Sequence, residues 1–306
     1  MAKILSERHY QTEWPSDDPA TWAETLNWLF RAKKKIPTPF QALNWLYGGG
    51  NREGWATAIC GVDSTGKSLI AGACALEAVA GGYRVGVINL DMDRRAWMLR
   101  ALASVGNLDA SALWELEEQS DFLQEETLRE IAHKIRDLPG VFVIEDSRPR
   151  TSEQAAAIIE GWGHQGVDLV IVDYVQLLRP GLPNVRGAEA FDCVVGDLVT
   201  AARRHQMAAL LICQLNREGK MGERASLYHV LGGSAIERHC DVGIVLDHTT
   251  TKVFDQNVVL KARCEKNRLL GRMPAWDVVI NKRNLQVAQG NSWTTDWRRE
   301  SRGSND

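Results

Sequence analysis

Eight consecutive residues constrain this chain more than any others: Gly61-Val62-Asp63-Ser64-Thr65-Gly66-Lys67-Ser68, a complete G-x-x-x-x-G-K-[ST] pattern. An apolar stretch, Trp55 to Cys60, runs into it, and an apolar, alanine-rich stretch, Leu69 to Ala80, leads away. That is the strand–loop–helix setting in which the pattern has chemical meaning. Its glycines let successive backbone N–H groups point into one concavity that holds phosphate oxygens. The helix that follows adds the positive end of its dipole. Gly61, Asp63, Ser64, Thr65, Gly66, Lys67 and Ser68 are therefore the candidate nucleotide-binding residues. Lys67 is placed to reach the β- and γ-phosphates, and Ser68 to ligand Mg²⁺. The chain is expected to bind a nucleoside triphosphate.

Around this loop, short apolar runs alternate with helix-compatible ones. Strands are predicted at 56–60, 85–90, 141–144, 169–172, 208–212, 242–246, 258–263 and 276–280, with helices at 67–80, 93–104, 122–136, 152–163 and 187–205. β-Branched runs separated by helices predict an α/β fold whose mainly parallel sheet is covered on both faces. Helices vanish toward the C-terminus, so the last strands are expected to pair antiparallel at one edge. The chain divides into an N-terminal arm and linker helix (1–35), the core (36–290) and a polar tail (291–306) expected to fray. The linker helix begins at Asp18 with Pro19 in its first position and ends on Lys33, Lys34 and Lys35. The acidic run from Glu115 to Glu126 reads as a connector and solvated helix face.

Composition excludes several classes. The net charge of −3 gives no global basic signature, so any nucleic-acid contact must come from local patches. There is no apolar leader at the start and no apolar run of membrane-spanning length, so a cytoplasmic protein with no membrane partner is expected. The six cysteines form no C-x-x-C pair and mostly fall in apolar runs. They read as buried free thiols in a reducing compartment.

Further strands end in polar residues. Leu169 to Val172 ends at Asp173, where a carboxylate beyond the strand can hold Mg²⁺ through water. Val85 to Leu90 ends at Asp91. If that strand neighbours the phosphate-loop strand, Asp91 faces the γ-phosphate and can orient the attacking water; Asp93 suits a helix cap. Leu210 to Cys213 ends at Gln214, an amide placed to sense the γ-phosphate or simply to bond at a strand end. Lys261, Arg263, Lys266, Arg268 and Arg272 form a basic stretch, either functional or a solvated edge.

Taken together, these motifs resemble the ATPase domain of DnaB-type replicative helicases, within the wider RecA-like group. The segment Ile36-Pro-Thr-Pro-Phe-Gln-Ala-Leu-Asn-Trp-Leu-Tyr-Gly48 looks like that family's approach to the core, and Asp173-Tyr-Val-Gln176 like its Mg²⁺-site strand. Gln214-Leu-Asn-Arg217 looks like its sensor, Gly233-Ser-Ala-Ile-Glu237 through Asp241 like the segment after its DNA loop, and Lys266-Asn-Arg268 like its intersubunit element. The order and spacing fit from about residue 30 to 285.

The resemblance implies a RecA-like P-loop NTPase fold and a six-membered ring with ATP and Mg²⁺ between subunits. Its catalytic residues would be Asp91, Lys67, Gln214, Lys266 and Arg268, the last two acting on the neighbour's ATP, and its metal ligands Ser68 and Asp173. It further implies that single-stranded DNA threads the ring, gripped by loops 179–187 and 218–233 through Arg179, Arg186, Arg217, Lys220, Arg224, Gly232 and Gly233. A primase or a loader is the implied further partner. Four departures stand out. Asp91 replaces the family's usual Glu, which predicts slow turnover. Leu231 stands where an arginine is typical, and Gly233-Ser234 reverses the usual order. Only about 35 residues precede the core, against a large N-terminal collar in the family. Asp63 resembles the acid some RecA recombinases carry. The leading expectation is a DNA-stimulated ATPase that translocates on and unwinds DNA. The alternatives are a RecA/RadA-like recombination ATPase and a nucleotide-gated assembly or loading factor with weak hydrolysis.

Overall fold

Chain order and spatial order part company at the phosphate loop, and that divergence creates the site. The computed structural model describes residues 26–27, 30–31, 33–116, 122–145, 147–182, 184–216, 224–230, 232–268 and 270–297, the side chains of 122–124 and 248–250 excepted. The start of the linker helix, Arg217, Lys220, Leu231 and the last nine residues lie outside them. The chain falls into two units, Met1–Lys33 and Lys34–Asp306. In the first, Leu26, Asn27 and Phe30 are helical and exposed. Every element named below belongs to the second.

A short antiparallel pair, β1 (Lys35–Ile36) and β2 (Asn51–Arg52), encloses helix α1 (Gln41–Tyr47). The main chain then runs β3 (Ala56–Gly61), α2 (Lys67–Ala80), β4 (Arg84–Asn89), α3 (Arg94–Gly106), α4 (Ala110–Trp114), α5 (Phe122–Arg136) and β5 (Val141–Glu145). It continues through α6 (Ser152–His164), β6 (Leu169–Asp173), α7 (Gly187–Arg204), β7 (Ala208–Gln214) and α8 (Gly233–His239). Four strands close it: β8 (Val242–Phe254), β9 (Asn257–Asn267), β10 (Ala275–Asn281) and β11 (Val287–Thr294). Strands β3 to β11 form one sheet in the order β11-β10-β9-β8-β3-β7-β6-β4-β5. Pairing is parallel from β8 to β5 and antiparallel from β8 to β11. This is the expected α/β, RecA-like arrangement, antiparallel C-terminal edge included.

The central strands are apolar throughout because both faces are covered, and the period of two sends alternate residues to opposite sides. On β3 and β7, Ala58, Cys60, Leu211 and Cys213 pack with α6 and α7, around Ile159, Trp162, Val195 and Leu198. Ile59, Leu210 and Ile212 face the other way, toward α2, Tyr47 and Trp276. Five of the six cysteines are buried, and all six are free thiols. No helix among the described residues is long and apolar enough to cross a membrane.

Three local expectations change. Lys33 and Lys34 are not helical, and Lys35 opens β1 by pairing with Arg52 instead of closing the linker helix. Residues 287–294 continue the sheet as β11, past the point where the tail is predicted to begin, and Trp297 packs back by donating from Nε1 to the Cys264 carbonyl at 2.7 Å. The strand ending at Asp91 is not beside β3, because β7 and β6 lie between them. The chain leaves β3, crosses over the places later filled by β7 and β6, and returns to them afterward. A crevice forms outside the strand ends where the order reverses.

Candidate functional site

Residues 62–68 fold as a cradle. Ser64 (φ 62°) and Gly66 (φ 79°) both take left-handed backbone, alternating with ordinary residues. Such alternation turns consecutive N–H groups toward one point. At Gly66 a Cβ would also lie 2.3 Å from the Ile280 Cδ1 atom, so a side chain there would have to displace the end of Ile280 as well as strain the backbone. Helix α2 begins immediately after it, and its N-terminal N–H groups face the cradle. The Thr65 hydroxyl and the Lys67 ammonium both donate to the Val62 carbonyl, at 2.8 and 2.7 Å. Burial lowers the Lys67 pKa, against the opposing pull of Asp63 and Asp173. Its ammonium thus rests on the loop's own carbonyl, a partner that phosphate oxygens can replace.

A cleft of about 590 Å³ opens on one side of this loop, with Lys67, Ser68, Asp91, Arg100, Asp173 and Gln214 among its walls. The fold therefore brings Asp91 to the phosphate loop from three strands away. Register explains how: Asn89 pairs with Asp173 across β4 and β6, so the β4 exit lies beside the β6 exit. Asp93 caps α3, accepting from the Arg95 N–H at 2.7 Å, while Asp91 makes no such cap.

Asp173 is almost wholly buried, and burial raises its pKa; the Ser68 hydroxyl, which bonds to it, and the nearby Lys67 and Arg100 pull the other way. Its Oδ2 has no hydrogen-bond partner. A buried, unpartnered carboxylate oxygen beside a hydroxyl suits a hard divalent cation. Among the described residues, no group of three His, Cys, Asp or Glu side chains could hold a metal. Mg²⁺ needs no such group, because it keeps waters and shares substrate phosphates. The residues present fit Mg²⁺ brought in with a nucleotide.

Arg100 escaped sequence reasoning, and Gln176 entered it only as the end of a motif, without a role. Arg100 on α3 lines the same cleft, where burial lowers its pKa while Asp173 and Asp91 oppose that shift. Its signal was its position three residues after Trp97, which is buried, so both lie on one helix face. Gln176, just past β6, clamps the end of β7: its amide accepts from the Gln214 N–H at 3.1 Å and donates to the Gln214 carbonyl at 2.9 Å. The Gln214 side chain is left to reach Asp63 of the phosphate loop. On the loop's other flank a second cleft, about 420 Å³, is walled by Val258, Leu260, Ile280 and Leu285, with Lys282 at its side. Such an apolar slot beside a phosphate cradle suits a nucleobase.

Lys266 and Arg268 sit elsewhere. Lys266 pairs with Gly243, level with Ala58 within β3, but its ammonium reaches back to carbonyls that precede β8, and the Arg268 N–H donates to Asp241 just before β8, so both cations lie toward the strand entrances, away from the loop. The length of β3 separates the strand entrances from the loop by roughly 16 Å. Lys266 donates to the carbonyls of Ile236, Glu237 and Cys240, and Arg268 to those of Glu237 and Arg238 at 3.0 and 2.5 Å. Both therefore cap the C-terminal end of α8, where exposed carbonyls favour cations.

The remaining candidates divide. Arg179 and Arg186 are exposed near the β6 exit. Arg224 lies 4.7 Å from the Trp297 ring centre, engaged within its own chain. Gly232 and Gly233 open α8, and a Cβ on Gly233 would lie 2.4 Å from the Leu227 carbonyl, so close packing alone accounts for that glycine.

This combination, a cradle at the strand ends with a buried carboxylate and hydroxyl beside it, defines a P-loop nucleotide-binding site on a RecA-like sheet. The sequence matches the DnaB-like helicase C-terminal domain family over residues 35–286, and the chain belongs to that family. Its fold is similar to that of a solved ATPase domain (TM-score 0.74, 17% identity), a likeness covering 89% of this chain and 97% of that one. It is also similar to a DnaB-like replicative helicase, solved in a study of its interactions with primase (TM-score 0.73, 17% identity). That likeness covers 88% of this chain but 65% of the other, so this chain spans about two thirds of that relative's length. None of the curated proteins matches the sequence.

Proposed function

We propose that this protein is a ring-forming ATPase, stimulated by single-stranded DNA, that translocates on and unwinds DNA. One observation carries the reading: the phosphate cradle lies at the strand exits of one sheet and the Lys266–Arg268 pair toward its entrances. A single chain cannot close both on the same nucleotide, whereas neighbouring copies arranged head to tail can. In such a ring Lys67 binds the β- and γ-phosphates, Asp91 orients the attacking water, and Gln214 senses the γ-phosphate. Lys266 and Arg268 from the next copy stabilise charge on the transferring phosphoryl group. Ser68 and Asp173 would hold Mg²⁺, which neutralises phosphate charge when it binds with the nucleotide. Leu260 and Ile280 offer the base an apolar wall. Arg100, facing the acidic pair Asp91 and Asp173, holds them in place for the incoming phosphates. Arg179, Arg186 and loop 218–233 supply the contacts to DNA. The replicative helicase of similar fold was studied for its interactions with primase, which makes primase the first further partner to test.

The test is ATP hydrolysis across protein concentrations, with and without single-stranded DNA, beside Lys67→Ala. The reading predicts hydrolysis that rises with DNA and more than linearly with protein, and that falls by about 10²-fold or more in the variant. ATP binding with scant hydrolysis, indifferent to DNA, would contradict the motor and favour a nucleotide-gated assembly factor.

A further inference from the structure

The end of β9 holds a single stretch of chain at both of its ends, through Arg263 and Glu265 on one side and Lys266 and Arg268 on the other. That stretch runs from Ala225, in the loop given above to DNA, through α8 to Cys240. Lys266 and Arg268 hold its far end, on carbonyls between Ile236 and Cys240. A charged cluster holds its near end. The Arg263 guanidinium donates through Nη1 to the Asp247 carboxylate, and through Nη2 to the Ala225 carbonyl at 2.5 Å and to Glu265 at 3.2 Å. The other Glu265 oxygen accepts from the Ser226 hydroxyl at 3.0 Å and from the Leu227 N–H at 2.9 Å.

Arg263 and Asp247 are buried, and Glu265 is largely so. The Trp297 ring lies over the cluster, 5.6 Å from the Arg263 guanidinium carbon. Charge-assisted hydrogen bonds in such a setting are strong and hold one geometry. Close packing joins the two ends of the stretch. A Cβ on Gly233, the first residue of α8, would lie 2.4 Å from the Leu227 carbonyl. One on Gly243, which pairs with Lys266, would lie 2.8 Å from the Leu227 Cδ1 atom. Leu227 thus sits against both the start of α8 and the strand position opposite Lys266. A shift of Leu227 presses on α8, and the carbonyls at the other end of α8 are those that hold Lys266 and Arg268.

We propose that Glu265 is a positioning residue for the Lys266–Arg268 pair. Its bonds to Ser226 and Leu227 join the loop that meets DNA to the strand that carries the pair. Binding of single-stranded DNA thereby sets how readily the two cations leave α8 for a neighbour's nucleotide. The inference rests on the motor reading above and adds to it the physical link through which DNA stimulates hydrolysis.

The experiment is steady-state ATP hydrolysis titrated with oligo-thymidylate, on wild type, Glu265→Ala, Glu265→Gln and Ser226→Ala. In Glu265→Ala the rate at saturating DNA should fall about tenfold, and a higher protein concentration should not restore it. The KM for ATP and the DNA concentration giving half the stimulation should both stay within about twofold of wild type. Glu265→Gln keeps an oxygen for Ser226 and Leu227 and should restore at least about half of the lost rate. Ser226→Ala removes one bond and no charge, so it tests the link even where Glu265→Ala does not fold, and it should cost about threefold. An undiminished DNA-saturated rate in the folded variants would overturn the proposal, as would a rate recovered by raising protein concentration, which would assign Glu265 to assembly. Weaker half-stimulation with the saturated rate intact would also overturn it, making Glu265 a support for the DNA loop alone. A wild type that hydrolyses ATP without stimulation by oligo-thymidylate would instead overturn the motor reading, and this proposal with it.

Discussion

The two edges of the central sheet treat their cations in opposite ways. At the strand exits, Lys67 rests on a single carbonyl of its own loop while the buried Asp173 Oδ2 has no partner. At the strand entrances, Lys266 and Arg268 are shared among four carbonyls around the end of α8. One edge holds a buried carboxylate with one oxygen bonded to Ser68 and the other unpartnered; the other edge is satisfied by its own backbone. The incomplete edge stores the cost of a buried acid and recovers it when a cation binds. The satisfied edge gives stability to the isolated chain and must loosen if its cations are to serve a neighbouring copy. On the proposed reading, binding at one edge competes with folding energy at the other.

The largest expected effect that would break this contrast comes from Asp173→Asn. Mg²⁺-dependent stabilisation by an ATP analogue, read as a shift in melting temperature, should vanish. The apo protein should meanwhile be as stable as wild type or more so, by about 1 kcal/mol at neutral pH, since a buried charge is gone. The sign follows from linkage. The folded-state pKa of Asp173 lies above its unfolded value, so the folded form holds the extra proton, and wild-type stability falls as pH rises through that window. A destabilised apo variant that still binds Mg²⁺ and nucleotide together would contradict the assignment.

Next in size is Lys266→Met, which keeps the apolar stem and removes the cap. Chemical denaturation should show a loss of about 1–2 kcal/mol, whereas nucleotide binding to the variant's own loop should stay intact. Unchanged stability would mean the α8 cap is incidental. The smallest effect sharpens the reading at Asp91. Asp91→Glu lengthens the arm that holds water and should raise ATP turnover by roughly 3-fold or more, with nucleotide affinity unchanged. No change in turnover would remove Asp91 from the catalytic group.

How much of this was legible in the sequence varies with how local the signal is. The phosphate loop and helix α2 were readable because glycine spacing, a lysine and an alanine-rich run are all contained within twenty residues. Helix α5 was readable from its periodicity, with Leu128, Ile131 and Ile135 on one face. The short helices α1, α4 and α8 were not, since five to seven residues cannot display a helical period. Strand β11 reads Val-Ala-Gln-Gly-Asn-Ser-Trp-Thr, a largely polar edge whose strand character comes from pairing with β10. Strand order is the deeper loss: nothing near Asp91 states that β7 and β6 separate it from the phosphate loop. Nor do Lys266 and Arg268 carry any mark of the helix end they cap, because that partner is backbone some thirty residues away.

The most direct measurement is a mixing experiment between two singly disabled chains. Lys67→Ala removes a chain's own cradle, and Arg268→Ala removes the cation it lends, so each alone should have nearly lost DNA-stimulated hydrolysis. Mixed in equal amounts and allowed to exchange, they should regain about a quarter of wild-type activity, the fraction of contacts that pair an intact cradle with an intact Arg268 in a randomly mixed ring. Mixtures no more active than either variant, or an Arg268→Ala chain with full activity alone, would show that the two edges of the sheet do not complete one site between copies.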